Sequence, residues 1–205
     1  CNAPTRMLVS SSNYDKAIEI AAATANATTV GDPNEDHRLG PISNKTQYEK
    51  VLKMIEIGIE EGARLVAGGM EKPDGYEKGY YVKPTVFADV TNDMTIAREE
   101  IFGPVLCIIK YEDEQQAIDI ANDTEYGLAG YVQGELSHAI EVGKQIRAGQ
   151  VTINGGARGN AAPFGGYKSS GNGREHGRHG LDECLETKAI ILSLIHISEP
   201  TRPID

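Results

Sequence analysis

The chain has 205 residues, is 40% hydrophobic and 24% charged, and carries a formal net charge of −10. That length suits one large domain or one and a half small ones, and the composition is that of an ordinary globular protein. The negative charge repels phosphate backbones and anionic lipid, and no apolar run reaches the ~20 residues of a membrane span; both argue against nucleic acid and membrane as partners. A nucleotide cofactor stays open, because backbone amides hold its phosphates.

Helical and extended segments alternate along the chain. Arg6–Val9 reads as a short strand before Ser10-Ser11-Ser12. A helix follows from Tyr14, with Asn13 as its N-cap and Ala17, Ile18, Ala21 and Ala22 as its apolar stripe. Tyr48, Val51, Leu52, Ile55 and Ile59 keep the helical period, and Gly62 stops that helix. Leu65–Ala67 reads as a strand, and Tyr80–Val82 and Thr85–Phe87 as extended segments on either side of Pro84, which marks an edge or an interruption.

Val105–Ile109 is a continuous apolar run, as in a strand buried on both faces. Asp113 and Gln116 make a capping-box-like start for a helix bearing Ala117, Ile118 and Ala121. Gly130–Val132 is a strand, Ala139, Ile140, Gly143 and Ile146 mark a helix ending at Gly149, and Val151–Ile153 is another strand. The alternation predicts an α/β fold with a mostly parallel, open twisted sheet and flanking helices. Ligands in such folds sit at the carboxyl ends of strands. From Asn154 to Gly180 the chain is glycine-rich and nearly without apolar periodicity, a loop long enough to suggest function.

Cys1, Cys107 and Cys184 are far apart, with no CxxC pair and no histidine at ligand spacing, so no metal site is expected. The low, odd count suits the reducing cytoplasm, and Cys1–Arg6 shows no signal-peptide pattern. Cys107 reads as core. Cys184 reads as a residue near a subunit contact, and His176 and His179 as solvated.

Cys1 supports three readings: a thiolate nucleophile, a bystander or buried small apolar side chain, or the nucleophile of a hydrolase whose own α-amine is the base. Two downstream segments bear on the choice. Glu99-Glu100-Ile101-Phe102-Gly103-Pro104-Val105 sets two carboxylates and an aromatic ring before the buried strand. Pro163-Phe164-Gly165-Gly166-Tyr167-Lys168-Ser169-Ser170-Gly171-Asn172-Gly173-Arg174-Glu175 is a glycine-dense turn.

Together with Cys1, in this order and at these separations, the two segments resemble the NAD(P)-dependent aldehyde dehydrogenase family. Leu39-Gly40-Pro41, Gly79–Val86, Ala121-Asn122 leading to Tyr126-Gly127-Leu128, and Ala148-Gly149 leading to Val151–Asn154 extend the resemblance from Cys1 to about Ile191. It implies the catalytic domain of that fold over residues 1–170, then a return segment and an oligomerisation strand over 171–192, with Thr187–Leu192 as the strand. It also implies that aldehydes are oxidised to acids with NAD or NADP, in a homodimer or homotetramer of the full-length protein.

In that family's terms Cys1 is the nucleophile, and Glu175 relays protons from the hydrolytic water. Glu100 hydrogen-bonds the nicotinamide ribose, Phe102 presses on the nicotinamide, and Phe164 lines the substrate funnel. Each has a plainer reading as well: surface acid for Glu100, core packing for Phe102, loop anchor for Phe164 and interface ion pair for Glu175. Arg158 reads either as a selector of acidic aldehydes or as an exposed loop side chain. The family's dinucleotide-binding domain, its oxyanion amide and its general base lie upstream of the cysteine, so the 205 residues alone are expected to be inactive. Ser193–Asp205 does not fit the family and resembles translated adapter sequence. A structural relative without catalysis and the N-terminal-nucleophile hydrolase are the alternatives.

Overall fold

The computed structural model describes residues 2–192. Two sheets carry the chain, one mixed but mostly parallel and one parallel. The larger is a four-stranded sheet of β1 (Arg6–Ser10), β2 (Arg64–Ala67), β3 (Thr85–Ala88) and β4 (Val105–Tyr111), in the order β1-β4-β3-β2. β4 runs parallel to both β1 and β3, and β2 is antiparallel to β3. The smaller unit pairs β5 (Ala129–Val132) in parallel with β6 (Gln150–Ile153).

The larger sheet is covered on both faces, which is why β4 reads as unbroken apolar sequence. Val105, Cys107 and Ile109 point with Phe87 into a core built on α2 (Lys45–Glu60) and α3 (Thr95–Arg98). Ile108, Val86 and Ala88 face the other way, onto Tyr14, Ile18 and Ala25 of α1 (Tyr14–Ala27). Phe87, Val51 and Ile55 are fully buried. Each such side chain contributes about 1.5–3 kcal/mol by leaving water.

α2 begins at Asn44, whose side chain accepts from Gln47 N–H at 2.9 Å, and it stops where expected, with Gly62 following the helix at φ +92°. α4 (Glu114–Asn122) begins at Asp113, which accepts from Gln116 N–H at 2.9 Å, while the Gln116 side chain accepts from Glu112 N–H at 2.7 Å. α5 (Leu136–Gln145) packs on β5 and β6 and has an unforeseen cap. The Glu135 carboxylate accepts from Ser137 Oγ, His138 N–H and Ser137 N–H, which hold its pKa down at about 2. A short helix, α6 (Gly177–Asp182), follows the glycine-rich loop. No helix among the described residues is long and apolar enough to cross a membrane.

One local detail differs from expectation. Asn13 is the N-cap residue of α1, but its side chain donates to Ser10 Oγ and makes no capping hydrogen bond. Tyr80–Val82 stays outside the sheet, and β3 begins only after Pro84, whose ring nitrogen cannot donate to a ladder, so Pro84 marks the expected interruption. Thr187–Leu192 pairs with neither sheet of this chain, which leaves the segment open to another subunit, and Ile190, Ile191 and Leu192 stand 75–94% exposed. An extended segment becomes a strand by pairing, and neither sheet of this chain pairs with it. The tail, 193–205, lies outside the described residues.

Candidate active site

Between the two sheets lies a cavity of about 600 Å³. Its walls include Asn2–Arg6, leading into the edge strand β1, and all of β5. The Glu99–Gly103 segment supplies Glu100 and Phe102 to the same cavity. Residues about a hundred positions apart thus meet because β1 and β4 are parallel neighbours, with Arg6 in register with Cys107.

The acidic segment is shaped by opposing demands. Ile101 is 2% exposed and anchors the turn in the core. Gly103 lies against α2, where an added Cβ would come within 2.6 Å of a Val51 methyl. Between these anchors Phe102 adopts φ +56° and projects outward, 53% exposed. A bulky residue in that backbone region stores strain, which burial of its neighbours offsets. α2 ties the segment down: Gln47 Nε2 donates to the Ile101 and Phe102 carbonyls at 2.9 and 3.0 Å, and Lys50 Nζ donates to the Glu100 carbonyl at 2.6 Å. Among the described residues, no hydrogen bond or ion pair engages the Glu100 carboxylate. Gln47 and Lys50 were not singled out from the sequence, because a helix heptad shows which face is apolar but not what its polar face holds.

Cys1 lies outside the described residues. The segment that follows it is held to the smaller sheet by the Tyr131 hydroxyl, which donates to the Asn2 carbonyl.

The glycine-rich loop folds back on itself. Phe164 and Glu175 exchange both backbone hydrogen bonds, each at 2.7 Å, as an antiparallel bridge. Glu175 is exposed and Phe164 half-buried, and neither lines the cavity that holds Glu100 and Phe102. The structure therefore gathers the expected site residues into two groups. The Cys1-adjacent segment, Glu100 and Phe102 form one; Phe164 and Glu175 form the other. The Arg158 guanidinium sits 4.9 Å from the centre of the Phe164 ring, a cation–π contact on the second group. Asn154 starts the loop with φ +49° and clamps Gly134, accepting from its N–H and donating to its carbonyl, both at 2.9 Å.

The remaining thiols differ in kind. Burial pushes the Cys107 thiol up to about 12, and its S–H donates to the Ile96 carbonyl at 3.5 Å. Cys184 is exposed. Since the thiolate is the reactive form, an alkylating reagent at mildly alkaline pH is expected to label Cys184 in the folded protein and Cys107 only after denaturation. Peptide mapping by mass spectrometry checks this; prompt labelling of Cys107 in the native state would contradict it. Among the described residues, no group of three or more His, Cys, Asp or Glu side chains could hold a metal ion.

A family model described as the aldehyde dehydrogenase family matches residues 1–190. A 3-succinoylsemialdehyde-pyridine dehydrogenase of a Pseudomonas species is 53% identical over 193 residues, covering 93% of this chain and 40% of the relative. Putative aldehyde dehydrogenases of Staphylococcus aureus are 50% identical over 192 residues, with the same coverage. Among solved structures, aldehyde dehydrogenase C of Pseudomonas syringae, a cysteine-to-alanine mutant holding NAD+ and octanal, superposes with a TM-score of 0.90 at 53% identity. The match covers 92% of this chain and 39% of that one. The NAD+ complex of a Mycobacterium tuberculosis aldehyde dehydrogenase gives 0.91 at 44% identity, over 96% and 41%. The chain spans about 40% of the length of the curated relatives it matches.

Proposed function

The chain belongs to the aldehyde dehydrogenase family, and on that premise we propose that the whole protein oxidises an aldehyde to a carboxylic acid with NAD or NADP, using Cys1 as nucleophile. The observation that carries this reading is the convergence of the segment after Cys1 with Glu100 and Phe102 on one cavity. An unengaged carboxylate beside an outward-facing ring fits a ligand with vicinal hydroxyls and a flat heteroaromatic ring, as a nicotinamide nucleoside has. In the Pseudomonas syringae relative, NAD+ and octanal are held together in a mutant lacking one cysteine, which accords with a thiol that does the chemistry.

The Cys1 thiolate adds to the carbonyl carbon and makes an sp³ alkoxide, with the Cys1 backbone N–H helping to hold the oxyanion. The bound dinucleotide supplies the hydride acceptor. Loss of hydride from that carbon leaves a thioester on Cys1, and water cleaves it to the acid and the free thiol. From the cavity, Glu100 holds the ribose hydroxyls and Phe102 limits the positions open to the nicotinamide; Phe164 bordering the aldehyde and Glu175 taking up protons from the hydrolytic water are roles supported by the family resemblance of their motif alone. Exposed Ile190, Ile191 and Leu192 favour a partner subunit, so a homodimer or homotetramer is part of the proposal. Three scattered cysteines favour the cytoplasm.

The test is an assay of the complete protein against a panel of aldehydes with both dinucleotides, followed by the absorbance of the reduced nicotinamide; no turnover with any aldehyde sinks the reading. In the active protein Glu100→Gln is expected to raise the KM for the dinucleotide or lower kcat about tenfold or more, the worth of one hydrogen bond to a charged group. Because Glu100 is exposed, the thermal midpoint should not move. Wild-type kinetics in that variant would make Glu100 a surface acid.

A further inference from the structure

The C-terminal end of α4 carries an unusual set of partners. A helix leaves its last carbonyls without intrahelical donors, and its dipole draws cations there. Here five consecutive carbonyls each accept from a cationic side chain. Arg6 donates to Ile120 and Ala121, both at 3.1 Å. Lys168 Nζ donates to Asn122 at 2.7 Å and Thr124 at 2.9 Å. Arg98 donates to Asp123 at 2.6 Å and pairs with its carboxylate at 3.0 Å. Asn92 closes the set, accepting from Arg6 at 2.9 Å and donating to the Asp123 carboxylate at 2.7 Å.

Water can satisfy the carbonyls at an exposed helix end at no cost in folding specificity. The origin of these cations therefore matters more than their presence. Arg6 ends the segment that begins at Cys1, Arg98 immediately precedes Glu99-Glu100, and Lys168 stands in the glycine-rich loop between Phe164 and Glu175. Each of the three segments assigned chemistry thus sends one cation to a single helix end. Lys168 does so from φ +54°, a backbone region costly for any side chain and kept only where surrounding contacts hold it. Burial, with Arg147 and Arg6 nearby, lowers the Lys168 pKa, as expected of an ammonium withdrawn from water.

We propose that the end of α4 is the common fixture of the catalytic site, and that Lys168, Arg98 and Arg6 are positioning residues setting the glycine-rich loop, the Glu100–Phe102 segment and the thiol segment relative to one another. The proposal rests on the dehydrogenase reading for its kinetic consequences but not for its structural ones.

The experiment uses the complete protein. Lys168→Met keeps the aliphatic stem and removes both hydrogen bonds. It is expected to lower kcat per titrated active site about 10- to 100-fold, with the aldehyde KM changed less than about threefold and the thermal midpoint nearly held, and Lys168→Arg should restore most of the loss. Arg98→Met, at a partly exposed side chain, should instead act mainly on the dinucleotide KM. A purely structural lysine would lower yield and midpoint but leave kcat per titrated site at the wild-type value, and that result overturns the proposal. Amide hydrogen exchange gives an arm independent of turnover. In Lys168→Met, exchange should quicken in residues 2–6 and 98–104 as well as 163–171; quickening confined to 163–171 overturns it. If the wild-type protein oxidises no aldehyde, the dehydrogenase reading falls and the exchange arm still decides the fixture. Should Lys168→Met fail to fold, Arg98→Met read by exchange over the same three segments decides it.

Discussion

Replacing Cys1 with serine in the complete protein is expected to reduce aldehyde oxidation by roughly 10⁴- to 10⁶-fold, the span seen when members of a covalent catalytic set are removed. The physical reason lies in both halves of the reaction. A serine hydroxyl is scarcely ionised at neutral pH, whereas a thiol in a favourable site supplies thiolate readily. The adduct must later be released by water, and a thioester is cleaved more easily than an oxygen ester. Dinucleotide binding should persist in Cys1→Ser, because Glu100 and Phe102 belong to a different segment. A titration of bound cofactor therefore separates loss of chemistry from loss of the site. Activity within about tenfold of wild type would remove Cys1 from the mechanism. The hydrolase alternative makes a different demand, since its base is a free α-amine on the cysteine and it has no use for Glu100 or Phe102 at the cavity.

Gly149→Ala is expected to destabilise the fold by about 3 kcal/mol, at the upper end of overpacking costs. An added Cβ would stand 1.7 Å from the Gly165 carbonyl oxygen and 2.6 Å from its carbon. Both obstacles are backbone, so no side-chain rotation relieves the clash. The same place is cinched by hydrogen bonds: the Gly127 carbonyl accepts from Gly149 N–H at 2.9 Å and from Tyr167 N–H at 2.8 Å. The start of β6, the start of β5 and the glycine-rich loop therefore separate together when Gly149 is enlarged. The cost is a large share of the ~5–15 kcal/mol that holds a typical domain. Urea unfolding measures it, and a change below about 0.5 kcal/mol would show that the loop yields freely. Gly62 makes a useful contrast. It has φ +92° and open space around its missing Cβ, so alanine there meets conformational strain instead of a clash.

Much of the architecture was legible in local pattern. The helical period in Tyr48–Ile59, the unbroken apolar run at Val105–Ile109 and the Asp113 cap each translate directly into α2, β4 and α4, because each records burial or capping demanded within a few residues. Asn13 and Tyr80–Val82 show the limit of that legibility: Asn13 sits at the N-cap of α1 without a capping hydrogen bond, and Tyr80–Val82 stays outside the sheet. A capping residue type and a β-prone triplet state what a segment can do, while neighbours distant in sequence decide what it does. The candidate site divides along the same line. Cys1, Glu100, Phe102, Phe164 and Glu175 could be named from motif order alone. No motif, however, shows that Glu100 and Phe102 share a cavity with the Cys1 segment while Phe164 and Glu175 pair elsewhere.

What the amino-acid sequence determined by itself was the alternation of elements and the family, and with them a set of candidate site residues. What only the tertiary structure decided was their company: Lys50 and Gln47 on the acidic segment, Tyr131 on Asn2, and three cations on the end of α4. Hydrogen bonds to backbone carbonyls carry no signature in the accepting residue, since every peptide offers the same oxygen. They become visible only when the parallel pairing of β1 with β4 has brought the donors within reach.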